Sequence, residues 1–494
     1  MGKVIKENEV NFSIKESIKR WTLNFTDIVS NSNKMYQLEL IQNDKGKYYL
    51  YTNYGRLGGT MAKEYRECSS LTHAEQEAQK ILKSKLKKGY SEIKLVQASI
   101  GSDVGKTKIE ASVLNEDQAK KLGLKIEDKK TDSKLHNEVQ KLVRTWFGAT
   151  QEFIELNLDT KKCPLGQLSL EQISKGKDLL EEARKIVHSK NDISELNRLT
   201  NQYYSNIPHN FGYGKINADV LRFDLDSKID AALDVLDVFK DAKNVENVLL
   251  KKNAIDDQYN SLNTDLIFVE NNSDIWNWIN DLFVNTNAKN HSGLGKIKML
   301  NLFKVSKKNE ETNFITNVEK IAKECGKKYI SEAYTTSVKN RNDINKDLNN
   351  LYLSANVIPS WHGSKRINNI GITRDGLKIR PTNVVHTGSM FGDALYFSPF
   401  YCSTKSINYC DVNGSYWAKG NNKTAYLFLA DVAFGKQKIV YNSHFFTKEN
   451  IKPHHSVWAR AGKGLHNDEM VIYNQVGANQ QHCIKYIVEF KTQA

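Results

Sequence analysis

Three short segments carry hydrogen-bonding or ionisable side chains where a packed core does not need them. In Ser360-Trp361-His362-Gly363-Ser364 an imidazole and a hydroxyl flank a glycine, which lets backbone amide and carbonyl approach a ligand closely. Tyr396-Phe397 follows Gly392 and leads, after a short loop, to Lys405-Ser406-Ile407-Asn408-Tyr409. Asn467-Asp468-Glu469-Met470-Val471 then places a carboxylate at the start of a strand-like run. Each segment alone matches ordinary packing or a solvated strand edge. Their ordered combination in one zone of the chain points to a site.

Two other kinds of chemistry are not supported. The six cysteines, Cys68, Cys163, Cys325, Cys402, Cys410 and Cys483, form no C-x-x-C pair and no ordered cluster with histidine. Neither zinc fingers nor a disulfide framework is expected, and the thiols fit a reduced, intracellular protein. Gly101-Ser102-Asp103-Val104-Gly105-Lys106-Thr107 imitates a phosphate-binding loop, but it has three residues between its glycines rather than four and follows no clear buried strand.

The elements that must hold these segments fall into four zones. Residues 24–98 begin with strand-like alternation at Tyr36, Leu38 and Leu40, turn at Asn43-Asp44-Lys45-Gly46, and continue in a second strand, Tyr48 to Thr52. Asn53-Tyr54-Gly55-Arg56-Leu57-Gly58-Gly59 follows, and then a helix from His73 to Leu86 whose end carries Lys83, Lys85, Lys87 and Lys88. Residues 1–23 are read as a tail and 99–134 as a linker. Residues 135–258 are helical by pattern: Ser169-Leu170-Glu171-Gln172 has capping-box spacing, and apolar stripes run through Ile173, Leu180, Ala183 and Val187 and through Ile229, Leu233, Leu236 and Phe239. Residues 262–494 turn to short strands, among them Ala425–Ala430, Met470–Tyr473 and Ile484–Val488.

Composition bounds the rest. The chain has 494 residues, room for roughly three domains. Hydrophobic residues at 39% and charged residues at 26% describe a globular protein rather than a disordered one. No apolar run approaches the roughly 20 residues of a spanning helix, so no membrane partner is expected. Seventy-one Lys and Arg against 57 Asp and Glu leave a net charge of +14, which favours polyanionic partners.

With these segments in view, the chain resembles the poly(ADP-ribose) polymerase family over nearly its whole length. His362, Tyr396 and Glu469 stand in the positions of that family's His-Tyr-Glu triad, supported by Thr387-Gly388-Ser389-Met390-Phe391-Gly392 and by Lys405 to Cys410. Cys163-Pro164-Leu165-Gly166-Gln167-Leu168-Ser169 and Ile207-Pro208-His209-Asn210-Phe211-Gly212 resemble its helical regulatory domain. Residues 24–98 resemble its WGR domain, with Tyr54 in place of the name-giving tryptophan before Gly55 and Arg56. Lys378 stands where related enzymes often carry arginine, which keeps the charge and loses the bidentate fork.

The resemblance implies a multidomain α+β protein with a small β-rich WGR domain, an all-α regulatory bundle and a mixed β-sheet ADP-ribosyltransferase domain at 262–494. It implies an enzyme that consumes NAD as substrate without a metal, moves ADP-ribose to protein acceptors including itself, with histones as candidate acceptors, and elongates the chain. Cleaving the nicotinamide–ribose bond develops an oxocarbenium-like charge, and Glu469 is the carboxylate to stabilise it and orient the acceptor hydroxyl. His362 would bind the adenine-side ribose, Gly363 and Ser406 the carboxamide, and Tyr396 and Tyr409 would sandwich the ring. Phe397 belongs to the same NAD-binding set, Ser364 and Asn368 lie toward the adenosine half, and Lys405 lies toward the acceptor. Arg56, Tyr54, Lys83 and Lys85 are the implied contacts to DNA strand breaks, and the nucleus is the implied compartment. Mono-ADP-ribosylation and a DNA-break scaffold with weak catalysis are the competing readings.

Overall fold

A computed structural model describes residues 4–6, 9–56, 60–93, 133–157, 168–189, 192–209, 211, 216–244, 255–286, 291–326, 341, 343–379 and 390–493. The glycine-rich segment 101–107, Cys163 to Gln167 and Thr387 to Ser389 lie outside these residues. The chain divides into two compact units, one of residues 1–130 and 150–253, the other of residues 131–149 and 254–494.

The first unit opens with an antiparallel sheet in the order β1-β5-β4-β3-β2-β6. Its strands are β1 (Val4–Lys6), β2 (Ile14–Asp27), β3 (Ser32–Asn43), β4 (Tyr48–Arg56), β5 (Met61–Cys68) and β6 (Ser91–Ile93). The alternation at Tyr36, Leu38 and Leu40 puts all three on one face, where they pack with Trp21, Leu23 and Leu50 against the helix Leu71–Lys87. That helix starts where the Ser70 side chain accepts from the His73 amide, and it buries Ala74, Ala78 and Leu82 at four-residue steps. The opposite face carries Ile41, Tyr49, Tyr51 and Tyr65, covered by Ile5, Val10, Phe12 and Ile14. Residues 1–23, expected as a tail, therefore supply β1 and much of β2. Their apolar side chains, among them Ile5, Val10, Phe12 and Ile14, are broken up by polar and charged residues, so the pattern hides a role that only the uncovered second face reveals.

Among its described residues the same unit also holds the helices Leu170–Ser189, Ile193–Asn206 and Asp226–Asn244. The capping box is closed in both directions: the Gln172 amide donates to Ser169 Oγ at 3.1 Å, and the Ser169 amide donates to Gln172 Oε1 at 3.0 Å. Ile173, Leu180, Ala183, Leu233, Leu236 and Phe239 meet in one apolar core. Buried Arg184 ties two of the helices, donating to Asp226 at 3.1 Å and Asp230 at 2.7 Å. Sheet and helices are joined through the end of β2. Asn24 Nδ2 donates to the Tyr204 carbonyl at 2.9 Å, the Thr26 amide to Ser205 Oγ at 2.8 Å and the Ile28 amide to Asn201 Oδ1 at 2.9 Å.

The second unit is built on a nine-stranded sheet in the order β12-β13-β14-β10-β9-β11-β15-β8-β7. Its strands are β7 (Asp265–Val269), β8 (Ile297–Ser306), β9 (Val357–Gly363), β10 (Leu395–Pro399), β11 (Thr424–Ala433), β12 (Gln437–Val440), β13 (Ser456–Ala459), β14 (Glu469–Ile472) and β15 (His482–Thr492). Every pairing is antiparallel except β12 with β13. β9, β11 and β15 read as near-continuous apolar runs because both faces are buried. The zone also contains an 18-residue helix, Lys308–Cys325, that its strand-rich texture concealed; only Phe314, Val318 and Ile321 mark its buried stripe.

The helix Asn137–Asn157 begins in this unit rather than with the other helices. There His136 stacks on Phe268, Asn301 Nδ2 donates to Glu138 at 3.2 Å and buried Trp146 meets Tyr426 edge-on. Among the described residues no helix is long and apolar enough to cross a membrane.

Candidate active site

Strand order brings the three chemical segments together. His362 is near the end of β9, Tyr396 lies on β10 and Glu469 is the first residue of β14, and these strands are neighbours in the sheet. The short helix Ser403–Ile407 follows β10 and lies against β9 so tightly that a Cβ on Gly363 would sit 1.8 Å from the Ser406 carbonyl oxygen. A cavity of about 130 Å³ opens between them. His362, Gly363, Tyr396, Phe397, Lys405, Ser406, Tyr409 and Glu469, all singled out by sequence, line it together with Met390 and Ser398.

His362, Tyr396, Ser406, Lys405 and Glu469 are each held by a partner. His362 Nδ1 donates to the Tyr396 carbonyl at 3.1 Å, which leaves Nε2 for a ligand; burial lowers its pKa, so the imidazole is neutral near pH 7. Behind it lies His482, fully buried, whose pKa burial pushes down to about 3. The Tyr396 hydroxyl donates to the Gly392 carbonyl at 2.7 Å and accepts from the Phe391 amide at 3.0 Å. Its ring is thereby fixed and its phenol is raised well above the usual range, chiefly by burial. Ser406 Oγ contacts the Trp361 carbonyl at 2.9 Å and Ser398 Oγ at 2.5 Å. The Lys405 ammonium pairs with the Glu469 carboxylate. Both are largely buried, with side-chain exposures of 16% and 12%, so the pair is shielded from water.

At the edge, Asn368 Nδ2 donates to Ser364 Oγ at 2.9 Å. Neither residue lines the cavity, and their pairing tethers the turn after β9. Tyr409 keeps 38% of its surface exposed and stands nearly parallel to Trp417, with centroids 6.4 Å apart. Its ring lines the cavity, and Tyr409→Ala is expected to weaken competitive inhibition by benzamide-like compounds about two- to twelvefold, as loss of a stacking contact of roughly 0.5–1.5 kcal/mol implies. Unchanged inhibition constants would show that the ring does not stack on the ligand. Lys378 stands apart, its ammonium 2.7 Å from Asp375.

The residues singled out for DNA lie in the first unit. Arg56 donates from Nη1 to the Asn31 carbonyl at 2.6 Å and from Nη2 to Asn31 Oδ1 at 3.0 Å, and the same Oδ1 accepts the Ile216 amide at 2.9 Å. Arg56 is thus wired into the joint between sheet and helices. Tyr54 stacks on Tyr36 and donates to Glu64 at 3.1 Å. Lys83 is exposed, whereas the Lys85 ammonium lies 3.8 Å from the Tyr36 ring centroid and 5.2 Å from that of Tyr90. Burial lowers its pKa, with Lys88 and Lys34 adding to the effect. Ser398 and Met390 fall inside segments that carry the resemblance, yet neither is singled out for the site by sequence, because a lone serine or methionine carries no signal of its own until the fold aims it.

Three family models match the chain: the WGR domain over residues 19–97, the poly(ADP-ribose) polymerase regulatory domain over 133–265 and the poly(ADP-ribose) polymerase catalytic domain over 273–492. Similar proteins include a poly [ADP-ribose] polymerase of Drosophila melanogaster, 26% identical over 440 residues, covering 87% of this chain and 39% of that protein. The poly [ADP-ribose] polymerase 2 of Arabidopsis thaliana is 25% identical over 452 residues, covering 87% and 62%. The human poly [ADP-ribose] polymerase 2 is 27% identical over 421 residues, covering 84% and 64%. The chain therefore spans less than two thirds of the length of these relatives.

Proposed function

The chain belongs to the poly(ADP-ribose) polymerase family, and on that premise we propose that it transfers ADP-ribose from NAD to protein acceptors, itself included, elongates the polymer and releases nicotinamide. The observation that carries this reading is the cavity in which His362, Tyr396, Tyr409, Ser406 and the Glu469–Lys405 pair converge. Gly363 and Ser406 hold the carboxamide, the two tyrosines take the faces of the ring, and neutral His362 offers Nε2 to the adenine-side ribose. The buried Glu469 carboxylate opposes the charge that develops on the ribose as the glycosidic bond lengthens, and it orients the incoming hydroxyl. Ser364 and Asn368 shape the adenosine side.

We further propose that the first unit recognises DNA breaks through phosphates, with Lys83 and the neighbouring lysines as cations, and that the helical region of residues 135–258 restrains NAD access until DNA is bound. The Arg56–Asn31–Ile216 connection supports this coupling, since any contact that moves Arg56 is felt at the helices. Binding can open the restraint only if DNA prefers the open state. The nucleus is the matching compartment, and histones are candidate acceptors.

The test is incubation with labelled NAD, with and without nicked DNA, followed by separation of mono- from polymeric products. No labelled protein refutes transfer, single units alone refute elongation, and a DNA-independent rate refutes the control. Arg56→Ala is expected to reduce stimulation by nicked DNA several-fold while leaving DNA-free NAD hydrolysis within about twofold. Stimulation should also fall by an order of magnitude or more over a few-fold rise in salt if several phosphates are neutralised. Equal stimulation by intact circular DNA would count against break recognition.

A further inference from the structure

Glu469 needs more support than its strand provides. It is the first residue of β14, and its backbone is paired to Ala459 of β13, while the ladder to β10 begins one residue later, at Met470 opposite Phe397. Upstream the chain is loop. An acid that must meet a transition state from such a strand end would wander unless something fixed the residue before it.

That residue is Asp468, whose carboxylate collects three donors from three separate segments. Its Oδ1 accepts the Ala461 amide at 2.7 Å, and its Oδ2 accepts the Tyr401 hydroxyl at 2.6 Å and Trp458 Nε1 at 3.2 Å. Tyr401 lies just beyond β10, Trp458 on β13, and Ala461 at the start of the loop that Asp468 ends. A second path closes a ring around the same point. His291 contacts Thr404 Oγ1 at 3.3 Å and Asn467 Nδ2 at 3.5 Å, and Thr404 adjoins Lys405, the partner of Glu469. With the Asn467 amide donating to Nε2, His291 Nδ1 carries the proton toward Thr404.

We propose that Asp468 is the positioning residue of the site: by tying the loop before β14 to Tyr401, Trp458 and Ala461, it fixes where the Glu469 carboxylate stands relative to the bound ribose. It does not line the cavity. Asparagine cannot replace it, because one end of an amide would turn a donor against either the Ala461 amide or the Trp458 indole N–H, neither of which can accept. The inference rests on the proposed NAD chemistry for its kinetic consequence but not for its structural one.

Both consequences are measured on the full chain. In Asp468→Ala, kcat for NAD turnover is expected to fall about ten- to fiftyfold, since an ångström of misplacement costs up to about 10² in rate. KM for NAD and the affinity of a benzamide inhibitor should stay within about twofold, because Gly363, Ser406 and the tyrosines are untouched. Asp468→Asn should resemble Asp468→Ala. Tyr401→Phe should show a smaller loss that adds nothing in the Asp468→Ala background. A crystal structure of Asp468→Ala should show Glu469 displaced from Lys405. An unmoved Glu469 overturns the inference even if the parent protein turns over no NAD, a result that would instead refute the proposed activity. Unchanged kcat, or inhibitor affinity lost in proportion to kcat, overturns it as well.

Discussion

Glu469→Gln is expected to lower NAD-dependent polymer formation by about 10²–10³, the usual cost of removing one electrostatic group aimed at developing transition-state charge. The amide keeps the shape of the side chain, so the cavity stays open and the affinity for a benzamide inhibitor should change by less than about threefold. What is lost is a charge held in a poorly hydrated place, with 12% side-chain exposure and a lysine as its fixed partner. A neutral amide cannot oppose a positive ribosyl centre, and it leaves the Lys405 ammonium uncompensated next to that same centre, which compounds the loss. Single-turnover rates with labelled NAD, together with inhibitor titration of the same preparation, separate chemistry from binding. Polymer of normal length and yield from this variant would remove Glu469 from the reaction.

The second large effect is steric. Gly363→Ala places a methyl group 1.8 Å from the Ser406 carbonyl oxygen, whereas real contacts of this kind essentially never fall below 3.0 Å. The obstacle is backbone, not the end of a flexible side chain, so β9 and the helix Ser403–Ile407 must separate. That separation displaces Ser406 and, with it, Lys405 and Tyr409, which stand on either side in sequence. An expected drop of about 10² in kcat/KM for NAD follows from misplacing the groups that hold the ring. Inhibitor affinity should fall with it, in contrast to Glu469→Gln. Inhibitor binding that survives Gly363→Ala would mean that the close approach of Gly363 to Ser406 is not what shapes the ring site.

The two variants differ because their residues act differently. Glu469 works through charge, which an amide removes at constant shape, and Gly363 works through the absence of a side chain, which any substitution ends. The same distinction explains how far each was legible. A glycine between histidine and serine signals close backbone approach in the linear sequence. A carboxylate at a strand start signals nothing by itself, and its weight came from company: a histidine segment, a tyrosine segment and a lysine segment in family order.

Other features escaped sequence reasoning for physical reasons. The segment before residue 24 spreads Ile5, Val10, Phe12 and Ile14 among polar and charged residues, and its place in the sheet follows only because Tyr49, Tyr51 and Tyr65 leave a face to be covered. Lys85 reads as a cation for phosphate, yet Tyr36 and Tyr90 surround its ammonium once the helix docks on the sheet. Arg56 reads by sequence as a contact to DNA or between domains, and which residue it meets is decided by the fold, where Asn31 accepts from both Arg56 and the Ile216 amide.

By itself, the sequence determined the local matters: alternation that sets Tyr36, Leu38 and Leu40 on one face, the capping box at Ser169, the apolar stripes of the helices, and the residue types able to bind a planar amide and oppose a positive charge. These depend on neighbours one to four residues apart, where backbone periodicity alone decides what faces what. Only the tertiary structure decided that β14, β10 and β9 lie side by side, so that Glu469, Tyr396 and His362 line one cavity, and that Asp468 is tied to three segments while Glu469 beside it faces Lys405. Strand order and the pairing of distant side chains are set by which faces bury against each other across more than a hundred residues of chain, and no local pattern encodes that choice.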